Sequence, residues 1–158
     1  MKGSLIMTTV DIHKMKRSEI AQTYPLMKKL AIFEHYIDSF AITEETVLRD
    51  AFETVPAKFH CLVATVDGQV KGMLVYYFLP YTAQDRADIY MKELYIDESA
   101  RGHQLGTKLM AELKQIGHDH GCGVIKWTCA PWNKKAQEFY EKQGGQQNHD
   151  WIDYQITL

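Results

Sequence analysis

The sequence predicts an α/β (α+β) fold: a mixed, mostly antiparallel sheet with one parallel pair of strands, and about four helices. Three observations predict it. Residues 59–66 and 69–79 are apolar, β-branched runs joined by Asp67-Gly68, the signature of a tight hairpin. Residues 89–96 read as a strand, 107–120 as an amphipathic helix and 124–129 as another strand; strand, crossover helix and strand imply a parallel pair. The chain has 158 residues, 46 % of them hydrophobic and 24 % charged, a usual composition for one domain able to bury roughly two-thirds of its unfolded surface without a disulfide or metal staple.

Taken in order, residues 10–15 alternate weakly and read as a short first strand. Ser18 and Glu19 open a helical pattern. Its apolar positions Ile20, Leu26, Met27, Leu30, Ala31, Phe33 and Ile37 form one broad face, and Pro25 either kinks it or starts its main part. Thr43 followed by Glu44 and Glu45 is an N-cap with first-turn acids, so a second short helix is expected to about Phe52, and Pro56 ends that region. After the hairpin, residues 80–87 read as a loop and 88–96 as a strand. The next helix carries Leu105, Leu109, Met110, Leu113 and Ile116 on one side and Lys108, Glu112, Lys114 and Gln115 on the other, the pattern of a helix laid on a sheet. Asn133 caps a further helix with Ala136, Phe139 and Tyr140 facing inward, and Gly144-Gly145 ends it. Residues 151–158 read as a last strand. No repeat or linker interrupts residues 7–158, which are expected to form a single domain; residues 1–6 read as a leader or an alternative start ahead of Met7.

Composition excludes several classes of function. The formal charge of −2, with acids and bases interspersed, offers no basic stripe for nucleic acid. No run of eighteen apolar residues is present to span a membrane, and the apolar run before Asp11 is too short for a signal peptide. Three cysteines, Cys61, Cys122 and Cys129, lie in apolar stretches; an odd number in such settings favours reduced thiols in a cytoplasmic protein. His118, His120 and Cys122 have the spacing of a partial metal site, but they sit at a helix end with no fourth ligand in register, so no metal is expected. Trp127 and Trp132 read as packing residues.

The turn between the strand 89–96 and the helix that follows it is the most informative stretch. It reads Arg101-Gly102-His103-Gln104-Leu105-Gly106. The first backbone N–H groups of a helix have no internal partner and sit at the positive end of its dipole. Gly102 and Gly106 lack a Cβ, so a large anion can approach the backbone, and Arg101 adds a forked cationic donor suited to phosphate. The three-glycine dinucleotide fingerprint and the Gly-Lys-Ser/Thr of a P-loop are both absent. The turn reads as the cradle for a pyrophosphate; the bland alternative is an ordinary strand–helix turn.

The hexapeptide resembles the Arg/Gln-x-x-Gly-x-Gly/Ala signature of the GNAT superfamily of acyl-CoA-dependent N-acyltransferases, with Arg101 at its first position, Gly106 at its last, and Gln104 in place of the middle glycine. The element order is also the GNAT order. From about Leu26 to Tyr154 the chain is similar to the spermidine/spermine (diamine) acetyltransferase family, whose relatives include thialysine acetyltransferases. The residues that carry this are Leu30-Ala31-x-Phe33-Glu34, His60-Cys61-Leu62-Val63-Ala64, Tyr76-Tyr77-Phe78, Arg101-Gly102, Trp132-Asn133 and Phe139-Tyr140. The resemblance implies a GNAT fold whose two parallel strands splay apart. It implies acetyl-CoA as acetyl donor, its pantetheine arm laid along Leu94, Tyr95 and Ile96. Its pyrophosphate would be held by Arg101, Gly102, His103, Gln104, Leu105, Gly106 and Thr107, and its thioester end lined by Asn133, Ala136 and Tyr140. A homodimer is implied in the same way.

The chemistry sets two demands. An amine attacks only as the free base, and a lysine-like amine has pKa near 10.4, so presenting it neutral at cytoplasmic pH costs roughly 4 kcal/mol unless a base or a desolvating pocket helps. The leaving thiolate then needs a proton, and a phenol, with its ordinary pKa of about 10, carries one at neutral pH. Tyr140 matches the family's tyrosine for that step, against the alternative of a core aromatic at helical spacing. Polyamine acetyltransferases carry adjacent acids in the strand before the cradle; here the pair is Lys92-Glu93. Glu93 is the candidate base, acting through water. Alternation puts Lys92 and Glu93 on opposite faces unless a bulge re-aims them. Lys92 beside the amine repels a polycation and favours a smaller amine or an amino acid with its own carboxylate. Glu34 and Asp38, four residues apart on one expected helix face, are candidates to hold a cationic substrate, with a solvated face as the alternative.

The reading is an N-acetyltransferase acting by direct attack of a small primary amine (diamine, polyamine or amino-acid-like) on acetyl-CoA. The alternatives are a protein or peptide N-acetyltransferase and a non-catalytic acyl-CoA-binding module.

Overall fold

A computed structural model describes residues 7–158; the expected leader at residues 1–6 lies outside them. The chain divides after Thr128 into two compact units.

The first unit is built on one five-stranded sheet in the order β1-β2-β3-β4-β5. The strands are β1 (Val10–Lys14), β2 (His60–Val66), β3 (Gln69–Tyr81), β4 (Arg86–Ile96) and β5 (Ile125–Lys126). The first four pair antiparallel as neighbours, and β4 pairs parallel with β5. The hairpin of β2 and β3 turns at Asp67 and Gly68, with φ of 49° and 79°, the left-handed pair that matches the strands' own twist. Residues 80–81, expected in a loop, continue β3: Pro80 pairs with Ala87 and Tyr81 with Arg86, and the turn is compressed into Thr82–Gln84.

The β3 side chains alternate between two layers, as a period of two requires. Met73 and Val75 face α1 (Ile20–Phe33), where they join Leu26, Met27, Leu30 and Val47 in a buried cluster. On the opposite layer lies α3 (Leu105–Asp119), whose Leu109 and Leu113 are fully buried. A Cβ added to Gly72 of β3 would stand 2.7 Å from the Ile96 side chain and 3.4 Å from that of Leu109. Here glycine is a packing requirement, letting α3 sit close on the sheet.

Helix ends depart from the sequence expectation further than helix starts do, although α3 begins at Leu105, two residues before the expected 107. Thr43 caps α2 (Glu44–Leu48), its Oγ1 accepting from the Thr46 N–H at 3.1 Å, and a wider turn carries the chain on through Arg49–Glu53. The α1 pattern does not reach Ile37. Glu34 is the C-cap, and His35 takes φ 65°, which reverses the chain; Ile37–Ser39 is a separate short turn. Phe33, expected on the inward face, is 47 % exposed, while Thr23 is fully buried there, its hydroxyl donating to the Glu19 carbonyl.

The second unit holds α4 (Lys134–Lys142). Asn133 caps it, its Oδ1 accepting from the Ala136 N–H at 3.1 Å, and the N–H groups of Gly144 and Gly145 close its other end on the carbonyls of Glu141 and Tyr140. Its expected inward residues Ala136, Phe139 and Tyr140 are half-buried. The last strand expected at 151–158 is absent: those residues adopt no strand, and Trp151, Ile152, Tyr154 and Ile156 are each more than three-quarters exposed. Alternation supplies a strand's two faces, but a strand also needs a partner ladder, and sequence does not name one.

Gly72→Val should therefore destabilise the protein by about 2 kcal/mol or more, as overpacking between sheet and helix. Urea denaturation followed by circular dichroism measures this, with Gly68→Asn, at a turn position that a Cβ leaves open, as the mild control.

Candidate active site

The site begins with one extra residue in β4. Val75 of β3 pairs with Glu93, yet the next residue, Tyr76, pairs with Met91, so Lys92 has no partner of its own and forms a bulge. Upstream, Ile89 and Met91 face α3 and Tyr90 stacks on Tyr77 on the other layer, ring centroids 5.3 Å apart. Past the bulge the phase is reversed. Tyr95 packs on the α1 cluster, and Ile96 points toward Gly72 and α3. The bulge puts Glu93 on the α1 layer, and Lys92 and Glu93 line the same pocket, which the uninterrupted alternation forbids.

That pocket has a volume of about 270 Å³ and lies wholly within the first unit. Met27, Phe59, Val75 and Tyr77 give it an apolar wall; Glu93, Lys92 and Lys58 give it charge. Burial pushes the Glu93 carboxyl up to about 7, with Glu34 adding to the rise and Lys92 opposing it. A carboxyl of that strength is half ionised near neutral pH, the poise a general base requires. Tyr36 stands close enough to feel both Glu93 and Glu34, and its phenol is driven well above the ordinary range, chiefly by burial. Partial loss of water also raises the Glu34 carboxyl, while Lys92 draws it down.

Of the expected substrate residues, the structure brings Glu34, Lys92 and Glu93 together electrostatically. It does not place Glu34 and Asp38 on one helix face: α1 ends between them at the left-handed His35, so Asp38 sits on the separate turn. Two neighbours were not foreseen. Tyr36 lies beyond the helix end, in a stretch with no periodicity to read. Lys58 sits two residues before β2, where a lone lysine carries no motif.

At the far end of β4 the chain turns into the cradle. Lys29 of α1 donates to Asp97 Oδ2 at 2.7 Å, and Asp97 Oδ1 accepts from the Ser99 N–H and hydroxyl at 2.9 and 2.6 Å. This partnership, led by Lys29, holds the Asp97 carboxyl well below the usual carboxylate range. The Asp97 N–H donates to the Lys71 carbonyl at 2.7 Å, Lys71 being the residue bulged out of β3 where the β2 register shifts. The strand exit is thus fixed from both neighbours.

The cradle fits an anion. The Gln104 side chain makes no cap hydrogen bond to α3 and no acid occupies its first turn, whereas the N-cap side chains of α2 and α4 both do cap their helices. Gly102 has φ 95° with open space where a Cβ would stand. Gln104, at the position the signature gives to glycine, takes φ 56° and ψ 33°, so the backbone keeps a glycine-like shape although the residue has changed. An L side chain in that conformation costs roughly 1–2 kcal/mol. Gln104, His103 and Arg101 lie on the half-buried or exposed side of the turn, with Leu105 buried beneath it and Gly106 and Thr107 in the helix's first turn.

Between pocket and cradle, one edge of β4 has no paired strand among the described residues of the first unit. The parallel pairing with β5 is confined to Ile89–Ile125 and Tyr90–Lys126. Among the described residues Leu94, Tyr95 and Ile96 have β3 on one side and no strand on the other, so an extended chain can hydrogen-bond along them. Asn133, Ala136 and Tyr140 sit on the first and second turns of α4 in the second unit, where the Asn133 carboxamide is committed to its cap and the Tyr140 ring lies 5.5 Å from that of Phe139.

The family model described as the acetyltransferase (GNAT) family matches residues 29–145. The thialysine N-epsilon-acetyltransferase of Bos taurus is 29 % identical over 147 residues, covering 89 % of this chain and 86 % of that protein. The Sus scrofa enzyme of the same name is 30 % identical over 146 residues, covering 87 % and 85 %. Among solved structures, an aminoglycoside N-acetyltransferase in complex with CoA superposes with a TM-score of 0.77 at 18 % identity, covering 98 % of this chain and 99 % of that one.

Relief of the left-handed strain is measurable. Gln104→Gly should stay within about 1 kcal/mol of the parent, since the gain in backbone comfort offsets a more flexible unfolded chain, whereas β-branched Gln104→Val should lose about 2 kcal/mol. Thermal denaturation of the pair reads the difference.

Proposed function

The chain belongs to the acetyltransferase (GNAT) family, and on that premise we propose that it transfers an acetyl group from acetyl-CoA to the primary amine of a small molecule. The observation that carries this reading is Glu93: a carboxyl turned into an apolar pocket by the bulge at Lys92 and brought by burial to about 7. Bound acetyl-CoA supplies an activated acyl carbon. The uncapped N-terminus of α3 and the open edge of β4 are the groups of this chain that suit its diphosphate and its pantetheine amides. The relatives named above as thialysine N-epsilon-acetyltransferases support a small amine as acceptor.

In this reading Glu93, directly or through one water, takes the proton from the incoming ammonium, and the apolar wall of Met27, Phe59 and Val75 weakens that ammonium's hold on it. The amine lone pair forms the C–N bond as the C–S bond breaks, the departing sulfur takes a proton from the Tyr140 hydroxyl, and the second proton that the nitrogen sheds on becoming an amide returns to the phenolate. Backbone N–H groups of β4 stabilise the negative charge on the acyl oxygen. Arg101 to Thr107 hold the diphosphate, and Asn133 and Ala136 line the thioester end. The proposal extends to a cytoplasmic homodimer. An odd number of cysteines suits a reducing compartment, and the exposed Trp151, Ile152, Tyr154 and Ile156 offer apolar surface that a second copy would cover.

The test is release of free thiol from acetyl-CoA on addition of a panel of primary amines. Release with at least one small amine is expected; binding of acetyl-CoA with no release from any amine would leave only a binding module. Tyr140→Phe should lower kcat about 10²-fold or more with little change in acetyl-CoA affinity by calorimetry.

Glu93 also links activity to pH and stability. As a base it must be ionised, so kcat/KM should rise as pH climbs through about 7. Its carboxyl binds a proton more tightly in the folded chain than in the unfolded one, where it titrates near 4.5. Its favourable contribution is therefore complete below pH 4.5 and lost as pH rises to 7, a loss on the order of 3 kcal/mol. Glu93→Gln should be inactive yet more stable than the parent at pH 8, with the difference shrinking toward pH 4.

A further inference from the structure

Glu93 has a primary amine beside it before any acceptor arrives, that of Lys92. The bulge leaves Lys92 without a partner in β3 and turns both residues to the same pocket, inside the first unit. Lys29, Lys58 and Lys126 each keep a carboxylate oxygen near their Nζ, at 2.7, 3.4 and 3.2 Å. Among the described residues Lys92 has no such ion pair, and it is exposed. Its charge nevertheless reaches the Glu93 and Glu34 carboxyls, opposing the rise of each.

The order of features along β4 aims the acyl donor at this amine. The cradle at residues 101–107 suits the diphosphate of acetyl-CoA, and the edge at residues 94–96 suits its arm. An arm that runs from the first along the second, toward lower residue numbers, delivers the thioester to the next residues of the strand, Glu93 and Lys92. Lys92 stands two residues before Leu94, roughly 7 Å along the strand, and carries its amine on a flexible four-carbon stem. An attached nucleophile is spared the entropy of capture from solution. A base placed to take a proton from an incoming amine serves equally the amine already there.

We propose that Lys92 is a self-acetylation site: when no external amine fills the pocket, its Nζ takes the acetyl group from the acetyl-CoA bound to the same chain. The ammonium loses one proton to Glu93, which passes it to solvent. The neutral nitrogen forms the C–N bond as the C–S bond breaks, and the second proton it sheds ends on the departing sulfur. The products are an acetylated lysine and free coenzyme A thiol, and no other co-reactant is needed. This rests on the acetyltransferase reading above and adds to it a covalent modification of the pocket itself. The acetylated side chain is neutral, so the charge that opposes Glu93 and Glu34 is lost, and with it the repulsion of an acceptor bearing a second ammonium.

The experiment incubates the full-length protein with acetyl-CoA and no amine, and follows each lysine by peptide mass spectrometry. Thiol release should stop near a single equivalent per chain. Lys92 should be acetylated at least tenfold faster than the exposed Lys28 and Lys142, which report unassisted reaction with the thioester. Its rate should not change with protein concentration. Glu93→Gln should slow Lys92 at least tenfold and leave Lys28 and Lys142 unchanged. Lys92→Arg, which keeps the charge but removes the primary amine, should abolish the single equivalent. If Lys92 reacts no faster than Lys28 and Lys142, if Glu93→Gln leaves it unchanged, or if its rate climbs with protein concentration, the self-acetylation assignment is wrong, and thiol release on adding an amine still upholds the acetyltransferase reading. If neither Lys92 nor any added amine takes up acetyl, both are wrong.

Discussion

A strand repeats every two residues, and β4 violates that repeat once. Everything that makes the α1 layer of the sheet chemically distinctive depends on the violation. If β4 ran without the bulge at Lys92, Glu93 would face α3, among side chains that are nearly all apolar, and Lys92 would take its place opposite Val75 above the pocket. The extra residue moves one carboxyl to the α1 layer without disturbing either end of the strand. It also re-aims Tyr95 and Ile96, so the α1 cluster and the α3 layer each receive the side chain that fits. A bulge disrupts the ladder locally. The long β3–β4 ladder, which extends from Gly72–Ile96 to Tyr81–Arg86, absorbs this.

The second constraint is the brevity of the β4–β5 pairing. Two residue pairs join the parallel strands, and then β4 continues to the cradle without a neighbour on that side among the described residues. Sheet hydrogen bonding, an uncapped helix start and a poised carboxyl thus occur in sequence along a single stretch from Glu93 to Gly106. The Lys29–Asp97 pair and the Lys71 carbonyl tie that stretch to α1 and β3. One segment therefore presents three different kinds of contact with fixed spacing, and its neighbours hold it there.

Much of this was legible in the residues. The Asp67-Gly68 hairpin and the Thr43 and Asn133 caps each follow from a local rule, and each stands where the rule puts it. Even the bulge left a trace: the α3-facing apolar residues of β4 are Ile89 and Met91, then Leu94 and Ile96, so the odd-numbered phase becomes even across Lys92-Glu93. What was not legible depends on partners distant in sequence. The end of α1 is set by a left-handed His35 that no propensity requires, and with it went the pairing of Glu34 with Asp38. Residues 151–158 have the alternation of a strand, yet alternation does not specify a partner. Lys58 and Tyr36 join the site only because the sheet and the α1–α2 connection fold over the same hollow.

The unpaired rim of β4 has a consequence outside catalysis. A row of unused peptide donors and acceptors attracts any extended polypeptide, including a partly unfolded copy of the same chain. An extended ligand seated along Leu94, Tyr95 and Ile96 would shield the protein from that hazard, and solubility would then depend on ligand supply. A sample without such a ligand would then be the one more prone to aggregate through this edge.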